Sequence, residues 1–131
     1  QINGWKQSNL MRKEREIAEG FEYDFVLRCR MDVRYTTPMP DFVPQKDRIY
    51  IPNFHHHTGI NDRWCLGPPD LINNYMDIID LYHENPSICT HAESFLLHCL
   101  KKQNTPIQLI ELKFNRVREN GDECHWDSTD P

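Results

Sequence analysis

The sequence predicts an α/β domain, a small mixed sheet flanked by helices, and three observations carry that reading. Stretches with apolar residues every three or four positions alternate with short runs rich in Val, Ile, Phe and Tyr. The helical stretches have recognisable ends, a glycine after the first and a proline pair before the second. The length, 131 residues, suits one domain and is short for two.

Taken in order, residues 3–19 read as a helix closed by Gly20, with Trp5, Leu10, Met11, Ile17 and Ala18 as its apolar side. The run "YDFVLRC", 23–29, reads as a strand apolar enough to be central. A proline-rich loop, 36–44, leads to a short extended stretch at 48–54, where Pro52 argues for an edge position. A polar loop, 55–62, precedes the short extended "RWCLG". Residues 68–84 form an amphipathic helix with Leu71, Tyr75, Ile78, Ile79 and Tyr82 turned inward. Residues 90–104 form another, opened by a capping box of Thr90 and Glu93. Residues 106–117 read as a strand whose alternation changes phase midway, as at a bulge. The single domain is expected to span 1–121, with 122–131 as a polar tail.

Composition narrows the function classes. The formal net charge is −5 with acids and bases interspersed, so there is no polybasic face to suit nucleic acid. No apolar run reaches the length of a membrane span, and no secretion signal opens the chain. The initial Gln1 suggests a fragment or a processed form. The cysteines, at 29, 65, 89, 99 and 124, are odd in number and form no CxxC pair. They read as small buried thiols in a reducing, cytoplasmic setting.

Three clusters bear on chemistry. In "VLRCRMDVRY" the charges Arg28, Arg30, Asp32 and Arg34 fall at every second position. On one continuous strand they would share a face. They sit where an apolar strand gives way to a loop, and ligands of α/β sheets lie beyond the carboxyl ends of strands. Arginine suits phosphate, and aspartate suits Mg²⁺ or Mn²⁺. The competing reading is a solvated face of paired charges. In "FHHHTGINDRWCLG", His55 and His57 would share a side, but no HExxH context marks zinc. Asn61 and Asp62, just before an apolar segment, are placed for the mouth of a pocket. In "HAES", Glu93 has a capping role to fill, and with His91 it can also make a base region.

The ordered pattern "YDFVLRCRMDV", "INDRWCLG", "PDLINNYMDIIDLYHE", "HAESFLLHCL" and "IELKFNRVRENG" resembles the later half of GT-A-like, nucleotide-sugar-dependent glycosyltransferases. The resemblance runs from Gln1 to about Gly121 and implies a partial GT-A-like layered fold. It implies a nucleotide-sugar donor, a glycan acceptor and Mn²⁺ or Mg²⁺. By the same resemblance, Asp32 would be the metal-binding aspartate, and Arg28, Arg30 and Arg118 would lie near the donor diphosphate. Asn61 and Asp62 would line the sugar or acceptor pocket, with Glu93 as the base and Asp62 as the other catalytic carboxylate, next in line for that role. Arg34 stands where a full DxD would have its second aspartate, and the nucleoside-binding first βαβ portion is missing from this stretch. Two other readings remain open: a non-catalytic α/β binding module, and a metal-dependent hydrolase using Asp32, His55, His57 and Asp62.

Overall fold

The computed structural model describes residues 1–82, 84 and 91–131. It is a mixed α/β domain built as three layers. The helices are α1 (Ile2–Glu19), α2 (Pro69–Met76), α3 (Ile79–Tyr82) and α4 (Ala92–Lys102). The strands are β1 (Val26–Cys29), β2 (Val33–Tyr35), β3 (Ile49–Pro52), β4 (Trp64–Gly67), β5 (Ile107–Ile110) and β6 (Phe114–Arg116). The main sheet has the order β1-β4-β3-β5, antiparallel except for the parallel pair β3 and β5. Strands β2 and β6 form a second, antiparallel sheet.

Alternation along β3 builds two cores. Ile49 and Ile51 point to the helical face, where Ile72, Tyr75, Leu96, Cys99 and Leu100 close over them. Tyr50 points the other way and joins Trp64, Phe54, Ile110, Leu112 and Phe114 under the second sheet. Every residue of β3 is therefore buried. Each such fully buried large apolar side chain contributes on the order of 1.5–3 kcal/mol.

Several expectations about placement are corrected. Strand β3 is interior although it ends in Pro52. The amides of Ile49 and Asn53 donate to Pro106 and Ile110 of the β5 side, so the intervening Pro52 faces β4, whose ladder with β3 is confined to Tyr50 and Leu66. The missing N–H falls where no ladder bond is needed. Strand β1, expected to be central, is an edge, and its Leu27 is exposed. The charged run 28–34 is not one strand. The chain leaves the main sheet after Cys29 and starts β2 at Val33. The phase change in 106–117 has the same origin: the chain quits β5 at Ile110, turns tightly as the Leu112 amide donates to the Ile110 carbonyl, and enters the second sheet at Phe114. Both edge strands of the main sheet thus run on and pair with each other as β2 and β6.

Helix α1 ends at Gly20 in the left-handed conformation, as expected. Its docking face differs from the apolar side expected for it. Trp5 is buried and stacks on Tyr75 at 5.4 Å between ring centroids, but Met11 and Ile17 are exposed. The rest of the contact is polar. Asn9 Nδ2 donates to Asn73 Oδ1 and Asp77 Oδ1, Arg12 Nη2 donates to Asn73 Oδ1, and Lys13 pairs with Asp77. Those bonds hold Asp77 at the break between α2 and α3, where the amides of Asp80 and Leu81 bond three residues back. The helix expected over 68–84 is accordingly two pieces, and Tyr82 is exposed. Helix α4 has His91 as its N-cap; Thr90, the expected capping residue, and Cys89 lie outside the described residues. Among the described residues, no helix is long and apolar enough to cross a membrane.

The two readings of α1 separate experimentally. Trp5→Ala should lower unfolding stability by about 3–5 kcal/mol, whereas Ile17→Ala should stay within about 0.5 kcal/mol of wild type in urea denaturation. Equal losses would contradict the observed docking face.

Candidate active site

The carboxyl ends of the parallel strands β1, β3 and β5 lie at one edge of the main sheet, where the antiparallel β4 begins. Four segments meet around this edge: 30–32 after β1, 54–63 between β3 and β4, the start of α4, and the last residues of the chain. The edge position follows the general rule for ligand sites in α/β sheets.

The loop 55–60 is held in an unusual backbone. His55, His57 and Thr58 have φ of 56°, 43° and 63°, a region that non-glycine residues adopt at a cost. Surrounding contacts impose it. The amides of His55 and His56 donate to the carbonyls of Asp130 and Pro131, and the Ile60 amide donates to the Glu93 carbonyl. Gly59 sits so close to α4 that a Cβ there would lie 2.1 Å from the Glu93 backbone. The segment 122–131, expected as a polar tail, thus carries a partner of this loop, and its Cys124 and Asp127 are buried.

Asp127 anchors that segment. Its Oδ2 accepts from the Arg116 amide at 3.0 Å and from Arg116 Nε at 2.8 Å, its Oδ1 accepts from Arg116 Nη2 at 2.9 Å, and Arg63 Nη1 lies 3.2 Å from Oδ2. Burial opposes its ionisation, but the bonds from Arg116 and the charge of Arg63 outweigh burial and hold its carboxyl far below the usual range. Arg63, itself buried, reaches on to donate from Nη2 to His55 Nε2.

Two imidazoles and one carboxylate converge next to this clamp. His55 Nε2 and His57 Nε2 are 2.8 Å apart, and with a Glu93 oxygen they form a group whose ligand atoms all lie within 4.8 Å of one another. This His/His/Glu cluster can chelate a divalent metal. His55 Nδ1 is buried 2.8 Å from Asp130 Oδ2, off the line of a formed hydrogen bond, so the contact is an electrostatic one. Burial above all, then Arg63 and His57, pull the His55 pKa down to about 4, which keeps the ring neutral near pH 7. His57, Thr58, His91 and Glu93 line a depression of 360 Å³ in front of the cluster.

Asp62 is 5 % exposed. Burial first, then the neighbouring Glu93 carboxylate, push its carboxyl above the usual range, and Arg28 and Arg63 pull the other way without cancelling the effect. Arg28 Nη1 donates to the Asp62 carbonyl, and its guanidinium lies 4.3 Å from the Trp5 ring centroid. Asn61 is fully buried in a framework role: Nδ2 donates to the Phe54 carbonyl, and Oδ1 accepts from the Arg63 amide.

The remaining residues singled out in the sequence stand apart from this group. Arg30 Nε and Nη2 donate to Asp32 Oδ1 and Oδ2 at 2.8 and 2.6 Å. Asp32 and Arg118 line a second depression, of 510 Å³, with Met31, Val33, Val117 and Glu119. Arg34 lies 3.4 Å from Glu123, so the four alternating charges share no face. Asp32, with both oxygens on Arg30, does not by itself offer a cage for Mn²⁺ or Mg²⁺. It is also outside the His/His/Glu group. Of the four residues expected of a hydrolase, only His55 and His57 belong to this group, and Glu93 stands in it where Asp32 and Asp62 were expected. Arg63, Arg116, Asp127 and Asp130 were not singled out in the sequence. Arg63 directly follows Asp62, and the two aspartates lie in a polar stretch whose local pattern carries no signal.

Among protein-family models, curated proteins and solved structures, none matches this chain. What stands is a small, folded α/β domain with a group of side chains able to bind a metal.

Asp127 gives a test of the clamp. Its folded pKa is depressed, so its contribution is present above the unfolded value of 3.8 and is lost as pH falls below it. Asp127→Asn should cost about 3–5 kcal/mol at pH 7, because two arginines lose their carboxylate. The gap between wild type and variant should hold down to about pH 4 and narrow only below it, closing toward the far lower folded pKa, as read by denaturant melts from pH 7 down to pH 2. A constant gap over that range would contradict the clamp.

Proposed function

We propose that this domain transfers a sugar from a nucleotide-sugar donor to a hydroxyl acceptor, with Asp62 as the base. The observation that carries the reading is Asp62 itself: a buried carboxylate beside a second carboxylate, at the carboxyl edge of the sheet, with arginines on either side. A base of raised pKa is better matched to taking a proton from a hydroxyl near neutral pH. Glu93, first expected to be the base, is the less buried of the two and acts on Asp62 through its charge. The resemblance of "RCRMD" and "INDRWCLG" to glycosyltransferase segments supplies the substrate class.

In this reading the acceptor hydroxyl meets Asp62, its proton passes to the carboxylate, and its oxygen attacks the anomeric carbon as the nucleoside diphosphate departs. Arg30 and Arg118 are the cations offered to the diphosphate, and Arg28 joins them only by leaving the Asp62 carbonyl and the Trp5 ring. The pairing of Arg30 with Asp32 sets its orientation, and Arg118 lines a surface depression together with Asp32 and Glu119.

A second reading, metal-dependent hydrolysis of a phosphate-bearing or glycosidic substrate, is favoured by the His55, His57 and Glu93 group. Incubation with a set of nucleotide sugars, with and without hydroxyl acceptors, distinguishes the two. Acceptor-dependent product supports transfer, and release of free sugar that no acceptor changes supports hydrolysis.

Asp62→Asn should lower turnover about 10²–10⁴-fold while leaving the melting temperature unchanged or higher. A carboxyl whose pKa is raised on folding weakens the fold once it ionises, and the amide removes that cost. Activity of the wild type should fall as the pH drops through the raised pKa. A stable Asp62→Asn protein with normal turnover would remove Asp62 from the mechanism.

A further inference from the structure

We infer that His55, His57 and Glu93 form an open site for a transition-metal ion of the zinc class, with Asp130 as the residue that orients His55. The site is separate from Asp32 and does not depend on the transfer reading. Two imidazoles with one carboxylate suit Zn²⁺ and related ions better than Mg²⁺, which takes oxygen ligands. Three protein ligands are the usual complement of a zinc site that keeps one position for water or substrate. That position would face the depression lined by His57, Thr58, His91 and Glu93.

Several features agree with this assignment. Two neutral-capable imidazole nitrogens stand 2.8 Å apart within reach of a carboxylate. Nitrogens bound at about 2.0–2.1 Å to one tetrahedral ion sit roughly 3.4 Å apart, so a small rotation of the exposed His57 ring brings the pair to bonding geometry. Asp130 Oδ2 lies 2.8 Å from His55 Nδ1 and 3.3 Å from His57 Nε2, so turning His57 onto an ion frees the carboxylate to accept from Nδ1–H, the support that metal-bound imidazoles commonly have, and leaves His55 Nε2 for the ion. The left-handed backbone at His55, His57 and Thr58 brings the two rings to the same point.

Arg63 is the competitor. Its Nη2 meets the same His55 Nε2, while Nη1 is already 3.2 Å from Asp127. Metal binding therefore requires the guanidinium to withdraw toward Asp127, exchanging a hydrogen bond to His55 for a tighter pair with the carboxylate. The Asp127 clamp thereby becomes the resting place of the displaced cation.

The test is metal binding by the chelator-stripped chain, measured by competition with a chromophoric chelator for Zn²⁺ and by visible absorption for Co²⁺. The expected result is one ion per chain, a raised melting temperature, and the strong Co²⁺ absorption of a four- or five-coordinate site. His57→Gln and Glu93→Gln, both on exposed or half-buried positions, should each weaken Zn²⁺ at least about tenfold, and Asp130→Asn about 10–100-fold. Asp32→Asn should leave it unchanged. Circular dichroism on each variant confirms that it is folded. Absence of stoichiometric Zn²⁺ binding, or full affinity in His57→Gln and Glu93→Gln, overturns the assignment. Loss of binding in Asp32→Asn overturns it equally. Full affinity in Asp130→Asn overturns the orienting role.

Discussion

The buried carboxylate of Asp127, shared between Arg116 and Arg63, is the interaction on which the candidate-site edge of the sheet depends. Arg116 belongs to β6, Arg63 lies just before β4, and Asp127 lies in a short 3-10 turn near the end of the chain. One side chain thus joins the second sheet, the main sheet and the terminal segment. Ionised and fully buried, it is tolerable only because both oxygens are met by guanidinium or amide hydrogens. With it in place, Arg63 has a defined position from which to reach His55, and Asp130 and Pro131 lie against the loop that carries the histidines.

The site spends stability that the cores supply. Three non-glycine residues in the left-handed region, a carboxylate pushed above its ordinary pKa, and two imidazoles pressed together are each unfavourable alone. They stand beside a sheet buried on both faces and a helix start packed so tightly that only glycine fits at position 59. Rigid surroundings of this kind let a strained constellation persist and hold its geometry within narrow limits. The pattern at Asp62 is the converse of that at Asp127. One carboxylate is fully compensated and stabilises; the other is left partly uncompensated.

Some of this was legible in the chain. The α/β class, the extent of α1 to Gly20 and the helical character of α4 follow from period and end signals, which are local. Asp62 and Glu93 could be singled out from their neighbours, and they do lie in one electrostatic neighbourhood. The docking face of α1 could not be read, because its buried stripe runs through Asn9 and Arg12 as well as Trp5, and polar residues leave no hydropathy signature. The interior place of β3 was hidden by Pro52, whose cost depends on which neighbour its missing N–H would have faced.

By itself the sequence determined which segments are helical or extended and which side chains are available for chemistry, since both depend on residues close in the chain. Only the tertiary structure decided their company. It placed Asp32 on Arg30 and away from the histidines, put Glu93 beside Asp62, and brought Asp127 and Asp130 back from a polar stretch to the sheet edge. The physical reason is that the edge strands leave the main sheet and pair with each other. That pairing depends on contacts about eighty residues apart, such as Val33 with Arg116, and no local pattern records a partner at that distance.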